Sequence, residues 1–119
     1  SMKILTLQIK RPYLEAILSG EKTEEYREIR PKNAKKFIIQ NPEAEDDDEW
    51  LKPVEYDAIK FLNGYDSNRP EALVEIKDAR IELSVDENDE YIIYEEDGEE
   101  YIESQIVYTL GKVLNTKNI

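Results

Sequence analysis

Residues 20–27 read Gly-Glu-Lys-Thr-Glu-Glu-Tyr-Arg, a stretch that joins two predicted elements. A short helix precedes it, because Pro12 suits the first turn of a helix and Leu14 and Ile17 fall on one helical face. Gly20 follows the last apolar helical position, where a glycine readily takes the left-handed conformation of a C-terminal cap. The sequence therefore predicts a helix over residues 12–19 that turns sharply at Gly20.

The segment after this turn is predicted to be a strand over residues 22–29. Alternation along a strand places Glu25 and Arg27 on the same face, while Lys22 stands at the turn itself. A lysine, a glutamate and an arginine at this spacing fit two interpretations. They form either an ordinary ion-pair ladder on the surface, which contributes little stability, or the wall of a ligand site.

The spacing of these residues matches a known signature. The pattern G-x-K-x-x-E-x-R is met by Gly20, Lys22, Glu25 and Arg27. It resembles the signature of the ASCH family. The resemblance extends upstream, because residues 4–13 are similar to the family's opening strand and to its proline-aromatic entry into the helix.

The resemblance and the order of segments together predict the fold. We expect one domain over residues 2–119, of mixed α/β (α+β) class. The resemblance implies a PUA-like, partly closed β-barrel of about five or six strands with one or two short helices. Residues 56–65, 72–83 and 106–114 agree in pattern with the later strands that the resemblance implies. Ser1, which stands ahead of Met2, is interpreted as a remnant of expression and is excluded.

The same resemblance implies a function, which is binding of RNA or a nucleotide in a cleft walled by the motif. Lys22 and Arg27 would donate charge-assisted hydrogen bonds, and a tyrosine would stack on a base. An Asn-Gly turn before Tyr65 would let backbone approach the ligand closely. The predicted ligand-binding residues are Lys10, Tyr13, Gly20, Lys22, Glu25, Arg27, Asn63 and Tyr65.

Catalysis is the alternative to binding. The chain has no histidine and no cysteine, which excludes Ser-His-Asp and Cys-His machinery, disulfides and thiolate metal sites. Some ASCH proteins resemble an N4-acetylcytidine amidohydrolase, whose lysine corresponds to Lys22 but whose threonine is replaced here by Glu25. Lys22 and Glu25 are the candidate catalytic residues of such an enzyme, or of a ribonuclease. We expect no metal and no cofactor.

Charge narrows the choice of ligand. The formal net charge is −12, which opposes general binding to long nucleic acids. The charge is segregated, because residues 1–36 hold nine Lys or Arg against five Glu, whereas residues 37–119 hold seven against twenty-three acids. We therefore expect a small or single-stranded ligand at the basic end. The sequence contains no long apolar run and no signal segment, so we also expect no membrane span and a cytoplasmic location.

The acidic part of the chain offers a different contact surface. Residues 41–53 are predicted to be a loop, with an acidic run from Glu43 to Glu49 that would suit a protein partner. Trp50 is predicted to anchor this loop by packing its ring onto the domain. The third functional alternative is accordingly an acidic protein-interaction module, whose contact surface would be this loop together with the acidic hairpin within residues 91–102.

Three further segments complete the prediction. Residues 30–40 fit either a helical turn or a short strand. The pair Asp97-Gly98 is a two-residue turn signal and predicts a hairpin within residues 91–102. The last strand is predicted to end at Leu114, with the five residues after it frayed.

Overall fold

The computed structural model describes residues 1–46 and 50–119, in which two short helices accompany nine strands. This confirms the predicted α+β class and agrees with the one or two short helices that were expected. The element bounds are β1 (Ile4–Gln8), α1 (Arg11–Ser19), β2 (Glu24–Ile29), α2 (Ala34–Phe37), β3 (Ile38–Gln40), β4 (Leu51–Pro53), β5 (Ala58–Leu62), β6 (Glu71–Leu83), β7 (Ile93–Glu96), β8 (Glu99–Ile102) and β9 (Ser104–Lys117).

Five strands form one mixed sheet in the order β1-β5-β6-β9-β2. β1 runs parallel to β5, with Ile4 opposite Ala58, and β5 runs antiparallel to β6, with Ala58 opposite Glu75. In the described residues β1 and β2 stand at the two ends of this order, so the sheet is not a closed barrel. Two smaller sheets pair β3 with β4 and β7 with β8.

The chain divides into two compact units. The first contains Ser1–Glu25, Glu55–Ala79 and Tyr108–Ile119, and the second contains Tyr26–Val54 and Arg80–Val107. β2, β6 and β9 each contribute residues to both units. The single domain over residues 2–119 stays a prediction.

The core of the first unit is centred on β5. Four of its five residues are buried. β5 has a neighbouring strand at each edge, and because both of its faces carry apolar residues, both faces must be covered by other parts of the chain. Phe61 is fully buried, and truncating such a ring to alanine typically costs about 3–5 kcal/mol. The buried apolar residues of this unit are Leu5, Leu7, Ile9, Leu14, Ile17, Ala58, Ile59, Phe61, Leu62, Ala72, Val74, Tyr108 and Leu110.

Helix α1 forms and ends as its sequence predicts, although it starts one residue earlier, at Arg11. Leu14 and Ile17 are its buried residues. Gly20 adopts a φ of 83°, and its N–H donates to the Ile17 carbonyl at 3.1 Å. The left-handed cap at Gly20 is thus confirmed.

The second unit contains a β-pair that the sequence did not predict. β4 pairs antiparallel with β3, so residues 51–53 are a strand and the prediction of a loop throughout 41–53 was wrong at that end. The reason is tertiary, since neither three-residue strand is stable without its partner. Residues 30–40, left open between helix and strand, contain both, because α2 passes directly into β3.

Two other predictions about chain segments were wrong. Trp50 is 49% exposed, so its ring is not a buried anchor; the Asn41 N–H instead donates to the Trp50 carbonyl at 2.6 Å. β9 continues to Lys117 rather than ending at Leu114. Beyond it, the side-chain amide of Asn118 donates to the Arg69 carbonyl at 3.1 Å, which holds the terminal segment in place.

The hairpin prediction is confirmed. β7 and β8 pair antiparallel through the two-residue turn Asp97-Gly98, with Glu96 opposite Glu99. Asp97 and Gly98 have φ values of 52° and 81°. Positive φ at both central residues is the type I′ geometry, whose twist matches that of the flanking strands.

Candidate functional site

The turn between α1 and β2 positions the lysine of the motif. The N–H of Lys22 donates to the Ala16 carbonyl at 2.9 Å, satisfying one of the carbonyls that the last turn of a helix leaves open. The Thr23 carbonyl then accepts from the Leu110 N–H at 2.9 Å, which ties the start of β2 to β9. The backbone on both sides of Lys22 is therefore fixed by hydrogen bonds.

Lys22 and Glu25 meet at this turn. The ammonium nitrogen of Lys22 lies 4.0 Å from the Oε1 of Glu25, with 21% of the lysine side chain and 8% of the glutamate side chain exposed. Among the residues that the structure describes, Glu25 is the one charged residue in the buried class. The side chain of Glu25 therefore points inward from β2.

The energy of this pair argues against a purely stabilising role. At 4 Å the attraction between unit charges is on the order of 4 kcal/mol in an effective dielectric of about 20. Desolvation of buried ions costs several kcal/mol each, so the net contribution is close to zero. A buried carboxylate whose ion pair adds little stability is a candidate for a functional role.

Tyr13 completes a three-residue cluster in the first unit. The Lys22 ammonium lies 5.7 Å from the centroid of the Tyr13 ring, within cation–π range. Tyr13 lies in the first turn of α1 and is 55% exposed. The structure thus brings together Tyr13, Lys22 and Glu25, with an exposed aromatic ring on one side of the ammonium and a buried carboxylate on the other.

The predicted Asn63-Gly64-Tyr65 element lies beside the start of α1. The side-chain amide of Asn63 donates to the Ile9 carbonyl at 2.9 Å, one residue before Lys10, the N-cap of α1. Gly64 has a φ of 103°, which favours glycine. Tyr65 follows and is 86% exposed, so its ring is available to a planar ligand.

Two predicted ligand residues are placed differently. Lys10 is exposed and marks the entry to α1 without a side-chain capping bond. Arg27 belongs to the second unit, where it is half-buried in β2. Its role in ligand binding stays a prediction.

The structure gives little support for a site in the acidic loop. Glu43, Glu45 and Asp46 are exposed, while residues 47–49 of the predicted acidic run lie outside the described residues. In the part of the chain that the structure describes, no group of three or more acidic side chains is arranged to hold a metal ion.

Gln8 was not among the predicted site residues. Its side-chain amide donates to the Gly64 carbonyl and accepts from the Gly64 N–H, both at 3.1 Å. These bonds clamp the loop that carries Tyr65 to the end of β1. A polar side chain at the end of an otherwise apolar strand was the available signal, but its partner is 56 residues away.

A second group of tyrosines was also missed. Burial raises the pKa of Tyr108 above its ordinary value, with a smaller effect from Tyr56, and burial likewise raises the pKa of Tyr56. Lys3 lies over the Tyr56 ring, 5.4 Å from its centroid.

An open concavity of about 570 Å³ is lined by Ser1, Met2, Tyr56, Asp57, Glu75 and Ile76. The predicted ligand residues are not among those that line it.

Neither helix in the described part of the chain has the length and apolar composition that crossing a membrane requires. No family model matches the chain, and no curated protein and no solved structure shows significant similarity to it.

Proposed function

We propose that this chain is an ASCH, PUA-like domain that binds single-stranded RNA or a nucleotide at the cluster of Tyr13, Lys22 and Glu25. The observation that carries the proposal is the burial of Glu25 beside the partly exposed ammonium of Lys22, which itself lies over the exposed ring of Tyr13. Recognition of a nucleotide uses a cation, a hydrogen-bond acceptor and a surface on which a base can stack. The cluster contains all three.

Each residue has a role in this proposal. Lys22 donates to a phosphate or a base carbonyl, and Glu25 holds the ammonium in place or accepts from a base amine. Tyr13 stacks on the base, which contributes about 1–3 kcal/mol in proteins that bind single strands. Tyr65 offers a second ring for a neighbouring base, and Lys10 a second cation.

The fold supports the proposal through the order of its first elements. Strand β1, helix α1, the Gly20 cap and strand β2 follow one another as the resemblance implies. We propose that the five-stranded sheet is the partly closed barrel of a PUA-like domain. The net charge of −12 favours a short ligand, because a long nucleic acid would be repelled by the acidic part of the chain.

The test is titration of a short fluorescent single-stranded oligoribonucleotide into the protein, followed by anisotropy. We expect Lys22→Ala to weaken binding about tenfold, which corresponds to the loss of one charge-assisted hydrogen bond. Tyr13→Ala should weaken it and Tyr13→Phe should not, because the ring does the stacking. Affinity of the unmodified chain should fall as salt rises.

The matched control is Lys35→Ala, which removes one exposed lysine from α2 in the second unit. It should change the affinity by less than about twofold, because it leaves the cluster intact. Equal losses for Lys22→Ala and Lys35→Ala would show that binding depends on overall charge rather than on this site. Thermal unfolding of each variant confirms that it is folded.

A further inference from the structure

The β7–β8 hairpin has two different faces. Side chains alternate between the faces of a paired strand, and the register assigns each pair to one face. One face carries the opposed pairs Tyr94 with Tyr101 and Glu96 with Glu99. The other, which we term the isoleucine face, carries the opposed pairs Ile93 with Ile102 and Glu95 with Glu100.

The face that carries Tyr94 and Tyr101, which we term the tyrosine face, is covered within the second unit. The rings of Tyr94 and Tyr101 stack with centroids 5.6 Å apart, and the guanidinium of Arg30 lies 4.2 Å from the Tyr94 centroid. Arg30 also pairs with Glu28 at 2.6 Å. These contacts hold the hairpin by one face and leave the isoleucine face directed to solvent.

The base of the hairpin is fixed as well. The Ser84 N–H donates to the Glu103 carbonyl, the Glu103 N–H to the Ile92 carbonyl, and the Ile92 N–H to the Ser84 carbonyl, all between 2.8 and 3.0 Å. The exposed face therefore belongs to an ordered element rather than to a loose loop.

This face exposes large apolar side chains. Ile93 is 58% exposed and Ile102 is 39% exposed, directly opposite each other. Tyr91 and Ile92, which precede Ile93 in the chain, are also exposed, and so is Val85, which forms a β-bridge with Tyr91. Clustered exposed apolar residues mark sites of interaction with other proteins, whereas scattered ones do not.

The charges around this face identify the kind of partner. Residues 83–103 contain ten carboxylates and no lysine or arginine. Glu95 and Glu100 are directly opposed, and like charges in that position destabilise a β-pair. A cationic partner would remove this repulsion, while a nucleic acid or a second copy of this acidic hairpin would add to it.

We infer that the isoleucine face is a docking surface for an extended, lysine- or arginine-rich protein segment that carries apolar and cationic side chains in turn at every second residue, so that both kinds lie on the face it presents. The apolar side chains cover Ile93 and Ile102, and the cations meet Glu95 and Glu100. Charge attraction speeds the encounter and selects the partner, and apolar burial supplies the affinity. This function is separate from ligand binding at Lys22.

The first experiment uses a short fluorescent lysine–isoleucine peptide, in which isoleucine and lysine occupy every second position in turn and serine fills the positions between them. Its affinity is compared by anisotropy with that of a lysine–serine peptide and a glutamate–isoleucine peptide of equal length. We expect the lysine–serine peptide to bind at least about tenfold more weakly and the glutamate–isoleucine peptide not to bind, since each lacks one half of the recognition. Equal affinity for the two lysine peptides would overturn the proposal, because binding would then be by charge alone.

The second experiment locates the surface with the double variants Ile93→Ser/Ile102→Ser and Glu95→Gln/Glu100→Gln. Each should weaken binding of the lysine–isoleucine peptide about tenfold or more. The matched control, Glu43→Gln/Glu45→Gln, removes two exposed carboxylates from the acidic loop and should change the affinity less than about twofold. An equal loss in the control would place the peptide elsewhere and refute the inference.

Stability provides an independent readout. Glu95→Gln/Glu100→Gln removes the like-charge pair and should raise the melting temperature of the free protein while weakening peptide binding. A variant that is merely misfolded would have a lower melting temperature and would also bind the peptide more weakly. If the melting temperature falls on this substitution, Glu95 and Glu100 do not repel each other in the free protein. That result would contradict the proposal that a cation binds between them.

Discussion

The side-chain amide of Gln8 makes two reciprocal hydrogen bonds to the backbone of Gly64, each 3.1 Å long. They join the end of β1 to the loop between β5 and β6, and Asn63 adds a third bond to the Ile9 carbonyl. The exposed ring of Tyr65 is thus carried by a loop that is tied to the strand leading into α1. Gln8 is a positioning residue for this part of the proposed site.

We expect Gln8→Ala to destabilise the protein by about 1–3 kcal/mol, because it leaves a backbone donor and a backbone acceptor of Gly64 without their partner. Urea denaturation measures this change. Gln8→Glu is the conservative comparison, since it keeps the acceptor and loses the donor, and its cost should be smaller. Amide exchange at Gly64 should quicken in Gln8→Ala; unchanged exchange would show that the clamp does not hold the loop.

Gly20→Ala should destabilise the protein by about 1 kcal/mol. The φ of 83° penalises any Cβ, whereas a Cβ at this position would meet no atom within 4 Å, so the cost is conformational and not steric. Gly20→Asn tests this distinction, because asparagine tolerates the left-handed region better and should cost less. Equal melting temperatures for the unmodified chain and Gly20→Ala would contradict the assigned cap.

Gly111→Ala should be destabilising for the opposite reason. A Cβ at Gly111 would overlap the Glu75 carboxylate, which also accepts from the Lys112 N–H at 3.4 Å. The overlapping oxygen ends a flexible side chain that can rotate away, so the expected cost is about 0.5–1.5 kcal/mol, that of the hydrogen bond to Lys112 that the rotation breaks. Adding Glu75→Ala to the same chain removes the overlapping atoms and should recover part of the loss. Additive effects in this double-mutant cycle would show that the two residues do not interact.

The stability of the protein should fall as the pH rises above about 10. Burial raises the pKa of Tyr108 above its ordinary value of 10.0, so its hydroxyl is protonated in both the folded and unfolded chain below that pH. Above it the unfolded chain ionises first, which lowers the free energy of unfolding by up to about 1.4 kcal/mol per pH unit for each such group.

Tyr108→Phe should make this alkaline loss less steep, and Tyr56 accounts for part of what remains because its pKa is also raised by burial. Denaturant midpoints measured from pH 7 to pH 11 test both statements. The difference between the variant and the unmodified chain should be constant below about pH 9. A difference that varies with pH in that neutral range would contradict the assignment.

We expect the unmodified protein not to release acetate from N4-acetylcytidine. Glu25 stands where the amidohydrolase pattern has a threonine, so the hydroxyl is missing, and its carboxylate lies beside Lys22 instead. Chromatography of nucleoside incubated with the protein would detect product. Robust deacylation that Lys22→Ala abolishes would replace binding with catalysis as the function of this site.

The sequence predicted those elements whose signals are local. The helix α1, its glycine cap and the hairpin turn at Asp97-Gly98 each depend on residues within a few positions of one another, and all three are confirmed. Alternation along one strand placed Glu25 and Arg27 on the same face, but it did not show which face of the strand is buried. The family resemblance and the identity of the ligand remain predictions, because the sequence of the protein does not contain the molecule that the site would bind.

Tertiary structure decided the features that join distant residues. β4 exists because Leu51–Pro53 pairs with β3, and β9 extends to Lys117 although its last residues are exposed and show no clear apolar signal. The clamp between Gln8 and Gly64 likewise depends on the parallel pairing of β1 with β5. Hydrogen bonds between strands are made by backbone groups common to all residues, so local sequence limits where a strand can form but its partner and register are settled only when the chain packs.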